Sequence, residues 1–498
     1  NEDLGNPGSG TNEAGVGYAT FTINLPSVGG TRAADAGGAE MDEGTAKEYA
    51  VKSATALIFQ KYGSDEGSYK FVESVTLPID GWTDDPEDGI TTTSKKLTAK
   101  LTNVDTKNTY AVLVLLNNKT ASGVKITLPS VGQSYNEWNN NAQLPTVTDL
   151  AAENDFYMAN APLKVDASPT TLVTIDKDNI YPTKEKAEAG TSAATVYVER
   201  GVAKMSVTAP GTKKVTDKAT NTETNSTVEF SNWALDITNK KTYAVHNIDG
   251  LSTDFSAIWT TARFTGTNNR VYWGKDPNYD KTVLKDADDA SDTERDKEFN
   301  FIKTTSDINL DFGKSTYCLE NTFNLDNMYQ GQTTRVIFKA TYTPKDNAGN
   351  SLADAGGTFY TIGNMTTILK EADLKTAVDA AATSVLPGCT VDYTRLTTEG
   401  GSHVITLADI KDATGAVLVA TGKDYSGKTG DEIVAAINAK LGLKAGRSEE
   451  MVGINTYLNG VTYYIARVRH FDDDKTPWSS GEAYNAENGK YLGRYGML

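Results

Sequence analysis

The chain has 498 residues, enough to bury more than one core and, on length alone, to form two to four domains. Its 65 acidic and 48 basic residues leave a formal charge of −17 at pH 7. That disfavours nucleic acid and anionic membrane surfaces as partners, because no basic field exists to attract a phosphate backbone.

Threonine, glycine, asparagine and tyrosine, 24 of the last, recur between short β-branched runs, which reads as a Gly-rich, all-β surface protein. Residues 1–17 open with the polar NEDLGNPGSGTNEAG, a flexible leader of the kind that tethers, consistent with a processed mature protein or a trimmed expression product. Next, YATFTINL at 18–25 alternates: Ala19, Phe21, Ile23 and Leu25 face one way, Tyr18, Thr20, Thr22 and Asn24 the other. This is the period of a strand covering a core on one side. Pro26 and a loose Gly/Ala run end it, with Arg32 at the junction of TINLPSVGGTRAADAGG. Taken by itself, Arg32 is an ordinary loop arginine.

Further strands follow at 52–62, 68–77, 96–104 and 108–117. The last, NTYAVLVLLN, is apolar on both faces and reads as a central strand. Turn clusters separate them, and helical turns fit about 136–152, so residues 18–189 read as an antiparallel sandwich. A second β unit spans 190–498. It starts with TSAATVYVERGVAKMSVTA at 191–209, one strand or two joined at Gly201, and STVEFSNWALDITN follows at 226–239. The charged span 275–299 has no periodicity and reads as a solvated loop. Strands return at 333–344, 357–363 and 459–471. Between them, about 365–455 reads as a mixed α/β insertion, with helices over 365–384 and 429–443, the second opened by a Thr429/Glu432 capping box.

Signals for chemistry are sparse. His246, His403 and His470 are scattered, and HExxH, CxxC, GxSxG and P-loop motifs are absent. The acidic HFDDDKTPW at 470–478 offers carboxylates to a hard cation but reads better as a charged hairpin tip. No metal and no cofactor is expected. Cys318 and Cys389 cannot make a disulfide framework; they could form one bridge, but sequence gives no distance between them, and they are read as thiols. Six tryptophans, Trp82, Trp138, Trp233, Trp259, Trp273 and Trp478, suit a glycan platform or a core, more often the core. Asn118, Asn225 and Asn364 match the glycosylation pattern. Glu199 and Arg200 read as structural ion-pairing groups.

Longer strings carry a resemblance. VYVERGVAKMSV at 196–207, RVYWGKDPNYD at 270–280, YCLENTF at 317–323, TTRVIFKA at 333–340, YYIARVRHF at 463–471 and YLGRYGML at 491–498 resemble the fimbrillins of Bacteroidales, the type V pilins, and most of all their minor branch. DFYMANAP at 155–162 resembles the segment after the first domain's core strands. The resemblance implies two transthyretin-like Greek-key β-sandwich domains and a structural, non-enzymatic pilus subunit at the cell surface. It implies a precursor lipidated on a cysteine that would lie just before Asn1, held at the outer membrane. An arginine-specific protease then cuts in the N-terminal loop, at the position matching Arg32. The strand bearing Ala19, Phe21, Ile23 and Leu25 is then a removable groove plug, and other pilin subunits fill the groove by donor-strand exchange. In the family the string matching YLGRYGML runs on into a donor segment, whereas here the sequence ends at Leu498, which leaves shaft, tip and anchor positions open. A tip or accessory adhesin with a glycan or protein receptor is the first alternative, and a secreted hydrolase the second.

Overall fold

The computed structural model describes residues 9–26, 44–80, 82, 94–165, 168–249, 269–270, 274–279, 292–321, 334–446 and 451–467. Strands dominate these residues, and most of the helices are short or belong to one insertion. The fold is all-β, as the alternating runs require.

Nine strands hydrogen-bond into one continuous sheet: β1 (Gly17–Asn24), β2 (Ala54–Gln60), β3 (Lys70–Leu77), β4 (Ser94–Leu101), β5 (Tyr110–Leu116), β6 (Met158–Asn160), β7 (Val173–Ile175), β8 (Ile180–Tyr181) and β9 (Ala194–Arg200). The sheet folds over into two layers. One is built on β1, with β4 and β8 beside it. The other is built on β5, flanked by β2 on one edge and by β6 and β7 on the other, with β3 beyond β2. β9 joins the layers. Its first half, Ala194–Tyr197, runs parallel to β1, and its second half, Val198–Arg200, runs antiparallel to β6.

Period-two alternation decides which side chains meet between the layers. Ala56 and Ile58 of β2 and Val112, Val114 and Leu116 of β5 share one core with Phe21 and Ile23 of β1, Leu97 of β4 and Val196 of β9. The intervening residues Leu57, Phe59, Leu113 and Leu115 point the other way, into a second core under Tyr135, Trp138, Tyr157 and Val245. β5 is thus buried at every residue. Residues 191–209 form two strands, β9 and β10 (Ala203–Ser206). β9, although it starts beyond residue 190, lies in the first sheet, and one of its pairings is parallel where an antiparallel sandwich was expected.

A second, antiparallel sheet takes β11 (Thr212–Asp217), β12 (Thr222–Asp236), β14 (Arg335–Thr343) and β18 (Val461–Arg467) in that order, while β10 pairs with β13 (Ser315–Cys318). The charged 275–299 span departs from the solvated loop read from its composition. Its described parts include a helix, Asp292–Glu298, and a buried Asn278 whose Oδ1 accepts from the amides of Lys240 and Lys241 at 3.2 and 3.0 Å. At Asn278 a polar side chain serves backbone groups rather than solvent.

Between β14 and β18 lies the insertion, with its own core. Helix Glu371–Val385 buries Leu374, Val378 and Ala382, a four-residue stripe, and helix Gly430–Lys440 buries Ile433 and Ile437. They pack with Tyr360 and Ile454 of the sheet formed by β15 (Phe359–Ile362), β16 (Gly401–His403) and β17 (Ile454–Tyr457). The capping box is present: Thr429 Oγ1 accepts from the Glu432 amide at 3.3 Å, and the Thr429 amide donates to Glu432 Oε2 at 2.7 Å.

Glu66 ties the turn before β3 to the chain leading into β7. Its carboxylate accepts from the Thr171 and Leu172 amides, each at 2.9 Å. Burial pushes the carboxyl up to about 7 although these bonds oppose the rise. A proton held more tightly in the folded than in the unfolded chain stabilises the fold most below the unfolded value near 4.5, and that contribution is lost as pH rises through about 7. Urea midpoints at about pH 5 and about pH 8 should therefore differ, with the lower at about pH 8, and Glu66→Gln should remove this part of the difference.

Candidate functional site

β1 is an interior strand. One edge pairs with β4 from Gly17–Leu101 to Asn24–Ser94. The other pairs with β8 at Tyr18 and Ala19, then with β9 from Phe21 to Asn24. Ala19, Phe21 and Ile23 are 0% exposed and Leu25 is 3% exposed. Ala19 lies between Ala99 on β4 and Ile180 on β8, while Phe21 stands opposite Leu97. Each of the three larger side chains contributes roughly 1.5–3 kcal/mol when fully buried.

The outer face is not uniformly open, as simple alternation predicts. Thr20 is only 2% exposed, because helix Lys184–Ala189 lies across it. Thr20 Oγ1 donates to the Ala187 carbonyl at 2.9 Å and lies 3.1 Å from Thr98 Oγ1. Two residues on, Thr22 Oγ1 meets Ser192 Oγ at 2.6 Å. No period-two signal reveals this cover, because it comes from residues some 170 positions away.

The chain leaves this strand at Pro26 and returns at Gly44. The intervening residues 27–43, Arg32 among them, lie outside the described residues. Both ends line a cavity of about 400 Å³ that also contacts β9, β10 and residues 241–247. Just beyond Gly44, helix Ala46–Tyr49 carries the buried Glu48. Its carboxylate accepts from the Tyr317 hydroxyl and from the Thr45 amide at 2.6 Å, and lies 3.0 Å from Lys204 Nζ. Burial would raise this carboxyl, but the bonds from Tyr317, Thr45 and Lys204 outweigh it and hold it below the usual range. Gly44 has φ +90°, and a Cβ there would lie 2.6 Å from both Arg200 Nη2 and Glu48 Oε2, so this position requires glycine. Nearby, His246 Nδ1 lies 3.3 Å from Glu199 and Nε2 lies 3.6 Å from Glu320. These contacts link residues 44–49 to β10 and β13, and β9 to residues 241–247.

The other sequence candidates divide plainly. Trp82, Trp138 and Trp233 are core residues, and Trp259, Trp273 and Trp478 lie outside the described residues, as does the 470–478 cluster. Asn118 is buried, bonded through both side-chain ends to Ile126. Cys318 and Cys389 are separate buried thiols; burial pushes Cys318 up to about 12 and also raises Cys389, so neither is a ready nucleophile. Among the described residues no cluster of three His, Cys, Asp or Glu side chains could hold a metal ion, and no helix is long and apolar enough to cross a membrane.

Two measurements probe this region. Phe21→Ala should cost about 3–5 kcal/mol in urea unfolding, and Asn24→Ala less than about 0.5 kcal/mol. Lys47 sits on the helix that Glu48 anchors, and the Lys52 amide donates to buried Asn117 Oδ1 at 2.7 Å. Trypsin should therefore spare both lysines in the folded protein and cut after Lys47 once Glu48→Ala loosens the helix, read by intact mass.

No protein family matches the chain's sequence, and no curated protein is detectably similar to it. A crystal structure of a fimbrial assembly protein from Parabacteroides distasonis is similar over 70% of this chain and 93% of its own, at 12% sequence identity and a TM-score of 0.29. A likeness of that size establishes neither a shared family nor a shared activity.

Proposed function

We propose that this chain is a non-enzymatic subunit of a surface filament, a fimbrial subunit matured by a cut after Arg32 and assembled head to tail by strand exchange. One observation carries the reading. β1 is an interior strand with Ala19, Phe21, Ile23 and Leu25 buried, and Arg32, just beyond it, is the only Lys or Arg before Lys47. A protease that cuts after arginine would sever the covalent link between this strand and everything downstream.

Losing the strand opens a slot with apolar walls and two unpaired ladders. Leaving those edges and that apolar surface in water is costly, so the slot accepts an extended segment that restores both. While the strand's own residues fill the slot, the subunit stays single. When another subunit supplies the segment, each contact is heterologous and does not close, which builds a fibre. In this reading the chain comprises a first sandwich that carries the removable strand and a second unit that carries the insertion. The lipid-anchored precursor, the arginine-specific protease and the pilin partners come with the sequence resemblance.

Brief trypsin treatment of the folded protein, followed by intact mass and native size, tests the reading. The expected result is a single early cut after Arg32 with the fold retained, then larger species as fragment 1–32 is displaced. Arg32→Ala should block both steps. A chain that is cut after Arg32 yet never exchanges its first strand, even at high protein concentration, would overturn strand exchange.

A further inference from the structure

β1 is enclosed on both faces at one residue, and that point sets a chemical requirement on whatever occupies its place. On the core side the pattern is small at Ala19 and large at Phe21, Ile23 and Leu25. On the outer side Thr22 and Asn24 are only partly covered, but Thr20 is sealed beneath helix Lys184–Ala189. There its hydroxyl donates to the Ala187 carbonyl at 2.9 Å and meets Thr98 Oγ1 at 3.1 Å. Its backbone carbonyl accepts from the Ala193 amide at 2.8 Å, fixing the register in which any strand must lie to reach β9. Ala187 is itself 0% exposed, so the helix packs tightly over the strand at this point.

We infer that the slot selects its occupant on both faces, and that an incoming extended segment must place serine or threonine where Thr20 stands, directly after a small residue and before a large apolar one. The partner is a chain segment of the form small, hydroxyl, then apolar at alternate positions, supplied by another subunit. This inference rests on the strand-exchange reading for the identity of the partner, but the selectivity of the pocket itself belongs to the intact chain.

The reason is hydrogen-bond accounting. A valine at this position matches threonine in shape but gives the Ala187 carbonyl no donor, and a buried polar group left without one discriminates on the order of tenfold to a hundredfold. A leucine or lysine requires the helix to lift. Serine keeps the donor and loses only a methyl group.

Two experiments decide the matter. In the first, the whole protein is nicked with trypsin and offered labelled synthetic peptides of residues 15–26, as the native sequence and with Thr20→Ser or Thr20→Val. Exchange is read by native size and mass. Native and Ser peptides should exchange on the order of ten times better than the Val peptide or more, and equal uptake of the Val peptide would overturn the inference. In the second, the intact protein carries Thr20→Ser or Thr20→Val, and urea midpoints are compared. Thr20→Val should fall below Thr20→Ser, and a Val variant as stable as the Ser variant would overturn the inference as well. Failure of every peptide to exchange would count against strand exchange, and the intact-chain comparison would still decide the selectivity of the pocket.

Discussion

A strand that is paired along both edges and buried on both faces can neither drift nor fray, and it cannot be removed without something to replace it. β1 is paired along both edges, its core face is buried throughout, and its outer face is sealed at Thr20. The chain before it is lightly held: Asn12 Oδ1 accepts from the Ala14 and Val16 amides, and the Gly10 amide donates to the Ile180 carbonyl. Most of what fixes the strand is therefore side-chain burial and the two ladders, not its covalent ends. Such an element owes its place to its own side chains and backbone rather than to the chain on either side of it.

The surroundings divide the labour. β9 reaches β1 only with its first half and is secured to β6 by its second, so the wall of the slot does not depend on the strand inside it. Glu48 does the same for the chain that resumes at Gly44, tying it to Lys204 and Tyr317 rather than to β1. On the outer face the strand is tied to the covering helix by the Thr20 hydroxyl on the Ala187 carbonyl, and just beyond the helix by Thr22 on Ser192. The walls around β1 are thus held by contacts of their own as well as by their pairing with it.

How much of this was legible in the sequence depended on whether the cause was local. YATFTINL announced its buried face through Ala19, Phe21, Ile23 and Leu25 because alternation is a property of the strand itself. NTYAVLVLLN declared a central strand because both faces are apolar, and Thr429 with Glu432 marked a helix start because the cap lies within one turn. The misses are tertiary. Thr20 reads as solvent-facing until a helix more than 160 residues later covers it, and nothing in residues 191–209 shows that β9 turns from one layer to the other. Around Asn278 the composition looked solvated, when its polar groups instead serve buried backbone. Arg32 drew its meaning from the resemblance alone, and its position lies outside the described residues.

The insertion has a topological consequence of its own. β14 and β18 are antiparallel neighbours, with Thr341 opposite Val461, so residues 342–460 depart from and rejoin the sheet at nearly one point. The sheet registers nothing more than a hairpin connection there. A module attached in this manner is portable: it can be enlarged, trimmed or traded for a short turn while the strands beneath keep their partners. Diversity at that end of the molecule therefore comes at little cost to the architecture that carries it.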